Sequence, residues 1–201
     1  QRPVSESEPL VCMDETSKQH VKETRLALPS RPGDVEKYDY EYERNGVSNL
    51  FMVSAPLIGW RHVDVTDRHT CHDWSLLMRD IVDVHFPEAK RVVVVMDNLN
   101  THRPSSLYKT FPAAEAKRIM DRLEFHYTPK HGSWLNMAEV ENSVLTGQCL
   151  DRRIGSMTHL ECEVAAWEDA RNAHKAAIDW RFTIPTARDK LKRLYPVVED
   201  L

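Results

Sequence analysis

Arg91–His102, RVVVVMDNLNTH, decides the fold. Its β-branched run, Arg91–Met96, is too apolar to lie half exposed, so it is predicted as a strand covered on both faces, as in a parallel arrangement. That strand delivers an acid, Asp97, at its end. Further along, HGSWLNMAEVENS (131–143) puts Glu139 and Glu141 on a predicted helix. An acid at the end of a buried strand and another on a following helix suit hard divalent cations, which prefer oxygen ligands. This is the chemistry of phosphoryl transfer.

Outward from the valine run, Leu10–Asp14 (LVCMD) reads as a central strand ending in an acid, and Lys22–Leu28 as a second segment before the turn-rich PSRPGD (29–34). Val47–Ser54 and Trp60–Val65 flank Pro56 and Gly59 and are expected to form an antiparallel hairpin. Over Asp73–His85 the period changes: Trp74, Leu77, Met78 and Ile81 mark one face of an amphipathic helix. Glu115–Leu123 is predicted helical, Glu124–Tyr127 a short strand. A helix is expected to begin near Trp134, capped by Ser133 or alternatively by Asn136. Leu160, Val164 and Trp167 mark another helix, and a short amphipathic segment follows Pro185. This order packs naturally as a mixed sheet with helices on both faces, an α/β fold.

A chain of 201 residues with 41% hydrophobic content suffices for one well-buried core. One domain over 1–201 is expected, with a core at about 10–154 and a helical extension at about 155–201. A net charge of −4 with 29% charged residues lacks the basic surface of an autonomous DNA-binding domain. Either nucleic acid is not the partner or most of the binding lies elsewhere. Cys12, Cys71, Cys149 and Cys162 are scattered, without CxxC pairs, and read as reduced thiols of a cytoplasmic protein. No window approaches the roughly 18 apolar residues of a membrane span, and no membrane partner is expected.

Three carboxylates from separate segments, Asp14, Asp97 and Glu139, are expected to converge where strand ends meet the helix. Two divalent ions roughly 3.5–4 Å apart on such ligands serve in-line displacement at phosphorus. The neighbouring acids compete poorly. Glu141 is rotated about 200° from Glu139 on a helix, and Glu15 points to the opposite strand face from Asp14. Each reads better as a solvated or salt-bridged acid.

CMDE (12–15), DNLNTH (97–102) and FHYTPKHGSWLNMAEVE (125–141) closely resemble the catalytic domain of bacterial insertion-sequence transposases of the Tc/mariner superfamily, over roughly Leu10 to Ile154. The resemblance implies an RNase H-like fold and a DDE acid triad, with Asp14 matching the first acid, Asp97 the second and Glu139 the third. It further implies two Mg²⁺ or Mn²⁺ ions. The implied activity is nicking of double-stranded DNA at transposon inverted repeats and joining of the freed 3′ hydroxyl to a target, commonly at TA. The active form implied is a homodimer, located at the bacterial nucleoid. Helix-turn-helix modules for the inverted repeats are expected to lie outside this chain. The chain departs from the family pattern in a longer separation between the second and third acids, with FPAAEAKRIMDR (111–122) as the natural place for the excess. Met137 also stands where many relatives carry proline.

Other residues have two readings. Asn98 and His102 could orient a metal-bound water or touch a phosphate, or form an Asx turn and cap the next helix respectively. Lys130 and His131 suit contacts to the DNA backbone. Trp134 could stack on a flipped base or belong to the core. Arg152 and Arg153 could grip phosphates or be a solvated basic pair at a helix end. His69, Cys71 and His72 invite zinc, but without a second ligand pair a helix start is the simpler reading. The function expected is a metal-dependent transposase. A non-catalytic DNA-binding transposon remnant and a simple RNase H-like nuclease are the alternatives.

Overall fold

The computed structural model describes residues 5, 7–25, 28–35, 37, 39–129, 135–178 and 183–190. Strand β4 (Val92–Met96) is almost wholly buried, and it pairs in parallel on both sides, with β1 (Leu10–Glu23) and with β5 (Leu123–Tyr127). A strand flanked and covered in this way has no exposed face to give polar residues, which is why its sequence does not alternate. On the other side of β1, β2 (Tyr42–Ala55) runs antiparallel, followed by β3 (Trp60–Thr66). The five-stranded sheet has the order β3-β2-β1-β4-β5.

Side-chain alternation divides the core between the two faces. Val11, Met13, Phe51, Val53, Val92, Val94 and Met96 pack with Trp74, Leu77, Met78, Leu107 and Ile119. The latter come from α1 (Cys71–Asp80), α2 (Pro104–Thr110) and α3 (Ala113–Asp121). Cys12, Leu50, Met52 and Val63 face the opposite layer, with Ala138, Leu145, Leu160, Val164 and Trp167 from α4 (Met137–Leu145) and α5 (Met157–Ala173). A last helix, α6 (Ile184–Lys190), follows. Helices therefore lie on both faces of a mixed sheet, as the sequence led one to expect.

Several boundaries differ from the sequence reading. β1 does not end at Asp14 but continues to Glu23, because its polar second half is held by the antiparallel ladder to β2 and extends with it as a hairpin arm. Lys22 thus belongs to β1 rather than starting another segment. α4 starts at Met137 on an Asn136 cap. The expectation of a start near Trp134 on Ser133 falls on residues outside the described set. The first turn of α1 settles the His69, Cys71 and His72 cluster as a helix start. The Thr70 hydroxyl accepts from the backbone of His72 and Asp73, and Asp73 accepts from Thr70 N, a capping box. All four cysteines are free thiols. Among the described residues no helix is long and apolar enough to cross a membrane.

Candidate active site

The parallel ladder sets Cys12 opposite Val95. Asp14 and Asp97 each follow two residues beyond this last pair, close enough for the charge of Asp97 to act on Asp14. Asp14 shares the face of Cys12, toward α4. Asp97 follows the last residue of β4, where the chain turns: its Oδ1 accepts from Leu99 N at 3.4 Å.

α4 is fixed against this strand pair at its first turn. The Asn136 side chain caps the helix by accepting from Ala138 N at 3.2 Å, and its Nδ2 donates to the carbonyl of Met13 at 2.7 Å. The residue just before the helix is thereby bonded to the residue just before Asp14. Three positions separate Glu139 from Asn142, so both lie on one face of the helix, and Asn142 Nδ2 donates to Asp14 Oδ2 at 3.1 Å. Glu141 points the other way, as expected from its rotation. It is buried and accepts from Arg61 Nη2 at 3.3 Å and Arg171 Nη2 at 3.0 Å.

The electrostatics mark Asp14. Burial above all pushes its carboxyl up to about 6, and the nearby charges of Glu139 and Asp97 add to this against the hydrogen bonds of Asn142 and its own strand. Among the described residues neither Asp14 nor Glu139 has an ion pair with a lysine or arginine. Asp14, Asp97 and Glu139 lie within electrostatic reach of one another, and His102 is the basic partner of Asp97; carboxylates of this kind are the donors a hard cation prefers. The carboxylates are not gathered to ligating distance: among the described residues no group of three or more His, Cys, Asp or Glu stands close enough to hold an ion as the side chains lie. The residues fit a divalent metal in the chemistry of their donors, oxygen ligands from carboxylates.

On the other side of Asp97 lies His102, which is buried. Its Nδ1 is 2.6 Å from Asp97 Oδ1 and its Nε2 is 2.6 Å from Glu15 Oε1. The ring stacks on Trp74, with centroids 6.0 Å apart, and the His102 carbonyl accepts from the Tyr127 hydroxyl at 3.1 Å. Burial opposes a charge on the ring, but the carboxylates of Glu15 and Asp97 outweigh it and raise its pKa above the ordinary imidazole value. Protonated on both nitrogens, the ring donates to both carboxylates. His102 is therefore not a helix cap; the residue that precedes α2 is Arg103. Asn98 is exposed, and the Asx-type contact of this turn is made by Asp97 instead.

Arg152 ion-pairs with Glu163, and Arg153 Nη1 bonds Glu23 Oε2 at 2.8 Å with its guanidinium over the Tyr42 ring. Both are tied to the protein's own groups. Lys130, His131 and Trp134 lie outside the described residues.

Sequence reasoning missed Asn142; it expects Glu15 to be a solvated or salt-bridged acid, and the structure pairs Glu15 with His102, a partner the sequence does not name. The signal for Asn142 was available in its three-residue spacing from Glu139. The role of Glu15 depends on cross-strand register, which no local pattern reports.

Sheet order, parallel central strands and a two-sided helical cover define an RNase H-like α/β domain. Residues 9–161 match the family described as DDE superfamily endonuclease, and the chain belongs to that family. No curated protein matches it. Among solved structures, it is similar to a Mos1 strand transfer complex, with a TM-score of 0.55 and 15% identity, covering 84% of this chain and 51% of that one. A Mos1 mariner paired-end complex with Mn gives a TM-score of 0.53 at 16% identity, covering 85% and 53%. A Mos1 transposase paired-end complex with the left transposon end gives 0.53 at 14%, covering 84% and 52%. At these identities the likeness establishes the shared fold. The chain spans about half the length of those transposases.

Proposed function

We propose that this domain is the catalytic domain of a DDE transposase of the bacterial insertion-sequence branch of the Tc/mariner superfamily. In this reading it hydrolyses DNA phosphodiesters at transposon ends and transfers the freed strand to target DNA. Asp14, Asp97 and Glu139 are the metal ligands. The observation that carries the reading is Asp14, a carboxyl raised by burial and by two further acids, with no lysine or arginine ion-paired to it among the described residues. Two divalent ions, Mg²⁺ or Mn²⁺, would supply activation of the attacking oxygen and neutralisation of charge on the leaving oxygen.

The chain's own residues orient these acids. Asn142 holds one oxygen of Asp14, Asn136 fixes the helix that presents Glu139, and His102 holds one oxygen of Asp97. Lys130, His131 and Trp134 are proposed DNA contacts, supported by their place beside the acid-bearing helix in sequence. Asn98 is proposed to face the substrate, supported by its exposure beside Asp97. Arg152 and Arg153 would have to exchange ion pairs for phosphate to join them. The resemblance supports a homodimer as the active form and TA as the target.

Supercoiled plasmid incubated with the chain and Mn²⁺ tests the reading. Wild type is expected to nick it, and Asp97→Ala to lose that activity by at least a hundredfold. Nicking by Asp97→Ala at the wild-type rate, or none by wild type, would contradict the reading. With end-bearing duplexes, a sequencing gel separates hydrolysed products from joined ones.

A further inference from the structure

We propose that Glu15 is a positioning residue for the metal site, acting through His102 to fix which oxygen Asp97 presents to the cation. This rests on the proposed role of Asp14, Asp97 and Glu139. Glu15 points to the opposite sheet face from Asp14 and is not itself placed as a ligand.

The geometry is that of an anchored bridge. Both nitrogens of His102 are engaged at 2.6 Å, one by Asp97 Oδ1 and the other by Glu15 Oε1. The ring has little freedom: it is buried, stacked on Trp74, and its backbone carbonyl is held by Tyr127. Asp97, by contrast, sits just beyond the end of β4 with a partly exposed side chain, where strand pairing no longer restrains it. His102 supplies the missing restraint. Oδ1 already accepts from His102 and Leu99 N, which leaves Oδ2 as the oxygen without a hydrogen bond among the described residues. Without Glu15, the ring would lose the partner that sets its orientation, and Asp97 would sample more rotamers. Outer partners of this type commonly change metal affinity by about 10- to 100-fold when removed.

The test is Mn²⁺ affinity, measured by electron paramagnetic resonance at fixed pH on the whole chain, together with the thermal midpoint in EDTA. Glu15→Ala is expected to weaken Mn²⁺ binding about tenfold or more, and Glu15→Gln, which retains an acceptor for His102, to weaken it less. Asp14→Asn is measured alongside. If Asp14→Asn weakens Mn²⁺ binding while both Glu15 variants bind as wild type does, the positioning role is wrong and the metal site stands. If Asp14→Asn also binds as wild type does, the metal-site reading fails and this inference with it. A Glu15→Gln protein that loses thermal stability in EDTA at unchanged affinity would show a merely structural contact and overturn the proposal. Should Glu15→Ala not fold, Glu15→Gln alone decides, by whether its affinity falls.

Discussion

Asn136 donates its side-chain amide to the carbonyl of Met13 at 2.7 Å while its oxygen caps α4. One buried side chain thus joins the strand that carries Asp14 to the helix that carries Glu139. Asn136→Ala removes a cap, at about 1 kcal/mol, and leaves a buried carbonyl without its donor, at about 1–3 kcal/mol. A total loss of about 2–4 kcal/mol is expected in urea unfolding, read as a lower midpoint with an unchanged slope. A change below about 0.5 kcal/mol would show that α4 is held by its apolar face alone.

Asp14 gives the metal-free protein a definite pH dependence. Its folded pKa of about 6 lies above the ordinary carboxyl value of 3.8, so the fold favours the neutral form. Between about pH 4 and pH 6 the unfolded chain binds fewer protons at this group, and its contribution to stability falls as pH rises. Above pH 6 the loss is complete and amounts to at most about 3 kcal/mol, reduced by solvent screening. Asp14→Asn is therefore expected to be more stable than wild type at pH 8 in EDTA and equal to it near pH 3.5. Equal stability at both pH values would contradict the raised carboxyl.

Glu141 lies between Arg61 and Arg171 in the layer beneath α4 and α5, with Arg61 also donating to the carbonyls of Gly59, Arg171 and Ala176. Removing the acid leaves buried guanidinium charge without its counter-ion. Glu141→Ala is expected to cost about 3–5 kcal/mol, measured by chemical denaturation. Glu141 is oriented away from Asp14, so a folded Glu141→Gln protein should keep its Mn²⁺ affinity. Loss of Mn²⁺ binding in that variant would place Glu141 among the ligands.

Gly59, in the turn between β2 and β3, has φ +68°, and a Cβ there would come within 2.4 Å of the Lys175 backbone after α5. Neither the left-handed backbone nor the close approach admits a side chain readily. Gly59→Ala should lower stability by about 2 kcal/mol or more, seen as a reduced thermal midpoint. A shift within about 1 °C would mean that the α5 end moves aside freely.

Legibility in the sequence followed burial. The valine run of β4 declared itself because both of its faces are covered and no polar alternation is permitted. The Trp74, Leu77, Met78 and Ile81 stripe gave α1 and its continuation for the same reason, and Asp97 and Glu139 were legible by their places at the end of one element and the start of another. The sequence puts the end of β1 at Asp14 because ETSKQHVKE carries little apolar signal; hydrogen bonding to β2, rather than a buried face, keeps it extended. α2 escaped notice, although Pro104 stands in its first turn. The bridge from Glu15 through His102 to Asp97 was invisible for a different reason. Its ends meet only when β1 and β4 align in parallel, a relationship that neither segment encodes alone.

The most direct measurement is anomalous diffraction at the Mn²⁺ edge from crystals of the chain soaked in MnCl₂. The expected result is an anomalous peak within coordination distance, about 2.0–2.3 Å, of oxygens from Asp14 and at least one of Asp97 and Glu139. Peaks confined to other parts of the surface, with these three carboxylates unmoved and empty, would contradict the claim that they form the catalytic metal site.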